Sequence, residues 1–472
     1  MNGDNHIQRM KRRLLIEVAQ MAFRGSLIEE IDRLPIKLFP KDGPTSRCCI
    51  HKSRRIIHYR LMAMLGHGVE EETDELKRLS EYVAPMQQSQ RTDNPILTVN
   101  DEACSACLKG RHCVTNVCRG CVARPCTVKC PKQAIQIVNG QARIDEEKCV
   151  NCGLCLKVCP YHAIVYVPIP CEEACPVGAI TKDHTGREQI DYDKCIYCGK
   201  CMEACPFAAI MERSQIVDVI ERIKGPKPVV AMLAPAMAGQ FPVEFTKVAA
   251  AVKALGFDDV IEVALGAEMT ARHEAEELLE KLKDGQAFMT SSCCPAYMQA
   301  IQKHLPEVAP FVSDTPTPMH YTAEIVKQRT PEAVTVFIGP CIAKRREAMG
   351  DDLVDGVLTT DEFGAMLVAA GIELDECEPL EFDRSAESKA RGFAVSGGVT
   401  EAVQAIGNVA DTIHPYLVDG LDKKALKLLS VWAKKGCAQA NFIEVMSCQG
   451  GCVAGPCNIG NPKVATRRIR SM

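Results

Sequence analysis

The run Cys149-x2-Cys152-x2-Cys155-x3-Cys159-Pro160, repeated as Cys195-x2-Cys198-x2-Cys201-x3-Cys205-Pro206, constrains this chain more than any other feature. Three thiolates on so tight a loop can cap one face of an iron–sulfur cube, with the fourth thiolate arriving from a partner repeat. Seventeen of the 27 cysteines in the 472 residues fall between positions 96 and 212. A disulfide scaffold is the competing explanation of so many cysteines, but such scaffolds are short and secreted. Cysteines two residues apart are also badly placed to pair with one another, so the pattern points to metal.

The repeated run is the bacterial ferredoxin signature, and the segment carrying it is internally repetitive. Cys-Pro, two residues, then Ala-Ile recurs at Cys130-Pro131, Cys159-Pro160, Cys175-Pro176 and Cys205-Pro206, the mark of stacked supersecondary units. Two half-motifs are degenerate: Cys118, Cys121, Cys126 and Cys130 keep a longer spacing, and Cys171 with Cys175 keeps only the second half. Pairing the repeats in the ferredoxin manner predicts three 4Fe-4S clusters. Cys118, Cys121, Cys126 and Cys159 hold one, Cys130, Cys149, Cys152 and Cys155 a second, and Cys175, Cys195, Cys198 and Cys201 a third. Cys171 and Cys205 remain, and two of Cys104, Cys107 and Cys113 would complete a fourth. The alternative for Cys104, Cys107 and Cys113 is a zinc site. Several clusters in series move single electrons over distance, without saying what chemistry ends the chain.

Three domains are expected: a helical region over 1–95, a ferredoxin-like α+β electron-transfer domain over 96–212, and an α/β domain over 225–472. The first has helical periodicity at Leu14–Phe23, Leu27–Leu34 and Ile56–Met64 and carries no recognisable function; its Cys48-Cys49 pair with His51 reads as buried or incidental. In the last, Pro228–Leu233, Val260–Leu265, Val334–Ile338 and Phe442–Met446 read as buried strands. Helical stretches such as Glu274–Leu282 and Ala296–His304 alternate with them, the pattern of a largely parallel sheet. A formal charge of −4 argues against a nucleic-acid partner. No apolar run reaches membrane-span length. Arg12-Arg13 brushes against an export signal, but Glu17 and Gln20 interrupt the apolar stretch behind it. A cytoplasmic location is expected.

Three more cysteine constellations lie where strands give way to turns: Ser291-Ser292-Cys293-Cys294-Pro295-Ala296-Tyr297, Pro340-Cys341 through Lys344 to Glu347, and Glu444-Val445-Met446-Ser447-Cys448 through Gly450-Gly451-Cys452. Carboxyl ends of parallel strands are where α/β folds place their sites. Gly450-Gly451 would let the backbone approach a cofactor.

Those three motifs resemble the FeFe-hydrogenase family, whose motifs read T-S-C-C-P-x-W, P-C-x-x-K-x-x-E and E-x-M-x-C-x-G-G-C; the likeness covers about 230–465. The resemblance implies reversible conversion of protons and electrons to H2 at an H-cluster, a cubane joined to a di-iron unit with CO, cyanide and azadithiolate. It also implies ferredoxin or a similar low-potential carrier as partner, and maturation proteins for the di-iron unit. Carried over by position, Cys294, Cys341, Cys448 and Cys452 would hold the cofactor, with Pro235 and Phe393 as further walls; Lys344 would donate to a cyanide and Met446 would pack on the irons. Cys293 would be the last proton donor, fed through Glu274, Glu277 and Ser313. Without the resemblance, Glu274 and Glu277 read as a solvated helix face.

The departures are Tyr297 for tryptophan, Gly339 for methionine, Ala236 for serine, Met319 for glutamine, and Cys457 within a glycine stretch. They imply a pocket with fewer packing and polar contacts. Cys457 stands either near the cluster or as a small buried residue; Cys377 and Cys437 read as buried thiols. Two other functions compete: a hydrogen-sensing or regulatory protein with slow turnover, and a non-catalytic iron–sulfur assembly factor.

Overall fold

The computed structural model describes residues 5–43, 47–83, 94–107, 111–437 and 439–472. The expected end of the helical region therefore falls beside residues 84–93, outside the described residues.

Two parallel sheets organise the last half of the chain. One has the order Asp259–Glu262, Val229–Leu233, Val334–Ile338, Gly356–Leu358; the other has Met289–Thr290, Phe442–Met446, Pro415–Asp419. Every pairing within both is parallel. Val229–Leu233 and Phe442–Met446 are buried at all five positions, as expected of parallel strands covered on both faces. Helix Val263–Lys283 covers this core together with Pro318–Arg329 and Gly398–Ile406. The fold is α/β with parallel sheets, carrying ferredoxin-like repeats and a helical N-terminal segment.

One expected strand is shorter than the sequence indicates. Pairing stops at Glu262, and Val263 already starts a 21-residue helix. The first turns of that helix, Val263 to Ala267, are buried throughout. A short apolar run buried on every side carries no period that separates strand from helix.

The N-terminal helix His6–Arg24 is capped by the Asn5 side chain, which accepts from the Gln8 amide, and ends at Gly25 in the left-handed region. Leu14, Leu15, Val18 and Ala22 share a continuous hydrophobic core with the larger sheet. Lys11 reaches Glu212 at 2.6 Å and Asp361 at 2.9 Å, tying the ferredoxin-like repeats and the α/β body to this helix. Cys48 and Cys49 are exposed rather than buried; Cys49 caps the helix Ile50–Met64.

The Cys-Pro-x-x-Ala-Ile repeat has a local cause. In each copy the third residue after the cysteine takes a positive φ: Gln133, His162, Gly178 and Ala208. The next amide then folds back and donates to the cysteine sulfur: Ala134 to Cys130, Ala163 to Cys159, Ala179 to Cys175 and Ala209 to Cys205, at 3.2–3.4 Å. The isoleucine that follows opens a short antiparallel strand in every copy.

Candidate active site and its cysteine chain

All three strand-end motifs converge on one cavity of about 890 Å³, measured to its open mouth. Cys294, Cys341, Cys448 and Cys452 line it, together with Cys293, Lys344, Met446, Pro235 and Phe393. Strand geometry explains the convergence: Thr290, Ile338 and Met446 are the last residues of three parallel strands, and each cysteine lies within a few residues of one of them. Burial pushes the Cys341 thiol up to about 11 and also raises those of Cys448 and Cys452 well above the ordinary thiol value, with neighbouring thiols adding to the effect. Four thiols crowded into one mostly apolar cavity suit a multiply cationic iron centre, which would take them as thiolates.

Lys344 is buried and paired with Glu347 at 2.6 Å, and Thr317 donates to Glu347 as well. Burial would lower the Lys344 pKa, but Glu347 raises it, so the ammonium stays charged at the cavity wall. The spacing of the lysine and glutamate is that of one helical turn, which places both on one face of Ala343–Met349.

Glu274 is completely buried. Its Oε1 accepts from the Ser292 amide at 3.1 Å, while Oε2 has no partner. Burial first, with the Glu277 charge adding to it, pushes its pKa up to about 8. Burial also raises the Cys293 thiol, and Glu274 is the largest charged contributor. Toward the surface, Glu277 accepts from Ser313 Oγ at 2.6 Å, Thr315 Oγ1 at 2.8 Å and the Asp314 amide at 2.8 Å, and pairs with Lys281. Burial opposes ionisation there, but Lys281 and these donors hold its pKa below the usual value. The two carboxyls thus differ in charge state although they lie one turn apart. Ser292 and Thr315 are two further residues of this network that sequence reasoning misses: Ser292 Oγ donates to the Thr315 carbonyl at 2.8 Å and so joins the two ends. Their only sequence signal is adjacency to Cys293 and Ser313.

The altered positions resolve individually. Tyr297 is fully buried and its hydroxyl bonds to Thr290 Oγ1 at 2.8 Å. Ala236 and Met319 do line the cavity. Gly339 does not leave a gap: a Cβ there would lie 2.8 Å from the Phe337 ring, and Phe337 itself lines the cavity. Residues 337 and 339 share one face of an extended chain, so the Phe337 ring occupies the space that a side chain at 339 would take. Cys457 is fully buried but outside the cavity wall, near Lys11, Glu212 and Asp361. Gly451, at φ +92°, is constrained by the backbone of Val395 and Ser396, which a Cβ would meet at 2.7 Å. Cys437 is buried, whereas Cys377 is only half-buried.

The remaining cysteines gather in four sets. Cys118, Cys121, Cys126 and Cys159 line one small cavity; Cys130, Cys149, Cys152 and Cys155 line another, beside His112. Cys201 lies in the field of Cys195, Cys198 and Cys175. Cys107 lies in that of Cys104 and Cys205, and Cys171 in that of Cys205. Cys113 stands apart, on a strand opposite Val165. Cys198 lines the large cavity and lies in the field of Cys294, and Cys201 lies in that of Cys171. The two inner thiol sets therefore lead into the cavity, and the two outer sets lie side by side on the packed helices Pro125–Val128 and Leu154–Val158. Among the described residues, no three His, Cys, Asp or Glu side chains converge to hold a single metal ion.

Residues 227–456 match the family model for the iron-only hydrogenase large subunit, C-terminal domain. Residues 142–165 and 188–211 match the 4Fe-4S binding domain. The periplasmic [Fe] hydrogenase large subunit of Nitratidesulfovibrio vulgaris is 31% identical over 371 residues, 66% of this chain and 85% of that protein. Iron hydrogenase 1 of Clostridium pasteurianum is 26% identical over 439 residues, 80% of this chain and 75% of its own length. The cytosolic Fe-S cluster assembly factor NAR1 of Eremothecium gossypii is 25% identical over 260 residues, 42% of this chain and 57% of that one. No helix among the described residues is long and apolar enough to cross a membrane.

Proposed function

Because this chain belongs to the iron-only hydrogenase family, we propose that it interconverts two protons and two electrons with H2 in the cavity, exchanging the electrons with a ferredoxin-like carrier. Cys294, Cys341, Cys448 and Cys452 would hold the cubane of an H-cluster. The attached di-iron unit, when bound, supplies the redox chemistry of hydrogen. Lys344 offers a charged donor at its wall, and Met446, Phe393, Pro235 and Phe337 keep that wall dry. Four further 4Fe-4S clusters fit the four accessory thiol sets, with Cys104 and Cys107 completing the set of Cys171 and Cys205.

Protons would travel by Ser313 and Glu277 at the outer end, then Glu274, then the Cys293 thiol. The observation that carries this reading is the free, buried Oε2 of Glu274 on a carboxyl that titrates near 8. Such a group holds or releases a proton at neutral pH, as a general acid–base relay requires. A carboxylate kept for stability alone would be expected to have both oxygens satisfied.

The kinship with an assembly factor keeps a non-catalytic reading in play. Infrared spectra of the matured protein, read for CO and cyanide stretches, and a hydrogen assay test the proposal together. Bands and turnover are expected. Cys293→Ala should retain the bands while losing about 10²–10⁴ in rate; Cys294→Ala should lose the bands. A matured protein without bands excludes the hydrogenase reading, and bands without turnover favour a sensor.

A further inference from the structure

The repeat places equivalent loops, Cys149–Cys155 and Cys195–Cys201, in opposite surroundings. The inner loop is docked. Cys198 lines the large cavity, Lys200 donates to the Leu421 carbonyl, and a Cβ on Gly199 would lie 2.6 Å from Pro456. Among the described residues the outer loop meets no comparable partner: a Cβ on Gly153 would touch His112 alone, at 3.5 Å, and Cys152 is exposed. The same face that joins the inner repeat to the cavity is thus open in the outer one.

The two helices beside that open loop and their ends carry exposed apolar and exposed basic side chains together. Helix Pro125–Val128 packs on helix Leu154–Val158; the first ends at Val128, 76% exposed, the second begins at Leu154, 41% exposed, and Val150 on the adjoining loop is 57% exposed. Arg124, Lys129 and Lys157 are exposed on the same pair of helices and their ends. Residues 111–168 hold eight Lys and Arg against three Asp and Glu; residues 171–212 hold four against eight. Two copies of one fold have therefore diverged to opposite charge, and only the solvent-facing copy is basic. Exposed apolar clusters ringed by charge mark interaction sites, and complementary charge accelerates brief redox encounters.

We infer that this basic, valine-rich face around Cys152 is the docking surface for an acidic, one-electron carrier protein, which passes its electron to the outermost thiol sets. The inference rests on the reading that those sets hold 4Fe-4S clusters, and it identifies where and by what charge the electron partner engages.

The test is stopped-flow reduction of the reconstituted holoprotein by a dithionite-reduced, acidic two-cluster bacterial ferredoxin, following the visible absorbance of the accessory clusters. Hydrogen need not be formed, so a failure of the hydrogenase reading leaves this measurement intact. The bimolecular rate should fall steeply as salt is added. The triple variant Arg124→Glu/Lys129→Glu/Lys157→Glu should slow it by about 10- to 1000-fold, while reduction by methyl viologen radical is unchanged. A control triple on the exposed face of another helix, Lys423→Glu/Lys424→Glu/Lys427→Glu, should leave both rates alone. Iron content verifies that the variants keep their clusters; if the outer triple loses iron, Val128→Ser/Leu154→Ser and the salt dependence of the unaltered protein decide instead. Equal slowing by both triples, or a rate indifferent to salt and to the outer variants, overturns the proposal. So does a tight, salt-resistant complex, which would indicate a permanent subunit.

Discussion

The inner and outer ferredoxin-like halves share spacing, backbone turns and amide-to-sulfur hydrogen bonds, yet one is a core and the other a surface. Ile196 and Val150 make the point, since both follow the first cysteine of the same motif. Ile196 is 1% exposed and packs in a cluster with Phe288 and Tyr297, whereas Val150 is 57% exposed. The lesson is that a cluster-binding motif encodes its own thiol geometry and nothing of its neighbours. Neighbours decide whether a cluster hands electrons inward or receives them from outside.

The largest test of this contrast removes one thiol from each half. Cys198→Ala should abolish hydrogen turnover with viologen and protein donors alike, because Cys198 belongs to the inner set and to the cavity wall. Cys152→Ala should retain viologen-driven turnover and slow only the reaction with a protein donor. Equal losses would mean that the outer set is structural rather than an electron entry.

Iron release should divide the same way. The four-thiolate rule gives about 20 iron atoms before the di-iron unit is added, about 8 of them in the outer half. A chelator under mild oxidation should remove those about 8 first, because Cys152 is exposed while Cys171, Cys175, Cys195, Cys201 and Cys205 are buried. A single-phase loss, or a total near 8, would break the assignment.

Stability should divide too. Ser214, just beyond the inner half, donates to Glu362, which forms a fully buried pair with Arg345. Glu362→Ala strands that guanidinium and should cost about 3–5 kcal/mol. Glu146→Ala, which breaks the partly exposed pair with Arg111, should cost about 0–1 kcal/mol. Thermal midpoints read both. Burial by itself would raise the Glu362 pKa, but Arg345 and the Ser214 and Thr359 donors hold it below its usual 4.5. The pair's stabilisation is therefore present above pH ~4.5 and lost as pH falls through the lowered folded value. The Glu362→Gln protein should lack this acid-side decline.

Trimming the paired motif positions should divide along the same line, down to the smallest effect of all. Ile196→Ala should cost about 2–5 kcal/mol, the usual range for emptying a core site. Val150→Ala should fall within about 0.5 kcal/mol. Similar costs at both would show that Val150 is covered in solution.

Much of the site is legible in the sequence because cluster chemistry is local. Cysteines two and three residues apart have few ways to surround a cube, and the order of the three strand-end motifs points to one shared cavity. The parallel sheets are legible from buried β-branched runs. Val263 to Leu265 reads as strand yet folds as helix, because an apolar run buried on all sides has no period. The choice among Cys104, Cys107 and Cys113 stays open on spacing alone, since these residues meet Cys171 and Cys205 only through long-range folding.

What the sequence by itself determined is therefore the thiol sets made within and between adjacent repeats, the α/β class, and the cavity residues attached to strand ends. Tertiary packing alone decided the rest. It brought Phe337 into the space Gly339 leaves, carried Cys457 away from the cavity to the N-terminal helix, and left Oε2 of Glu274 unpartnered. It also buried one ferredoxin-like half and exposed the other. The physical reason is range: ligand spacing and turn conformation are set by a few covalently linked residues, whereas burial, charge state and free volume depend on which distant surfaces pack together.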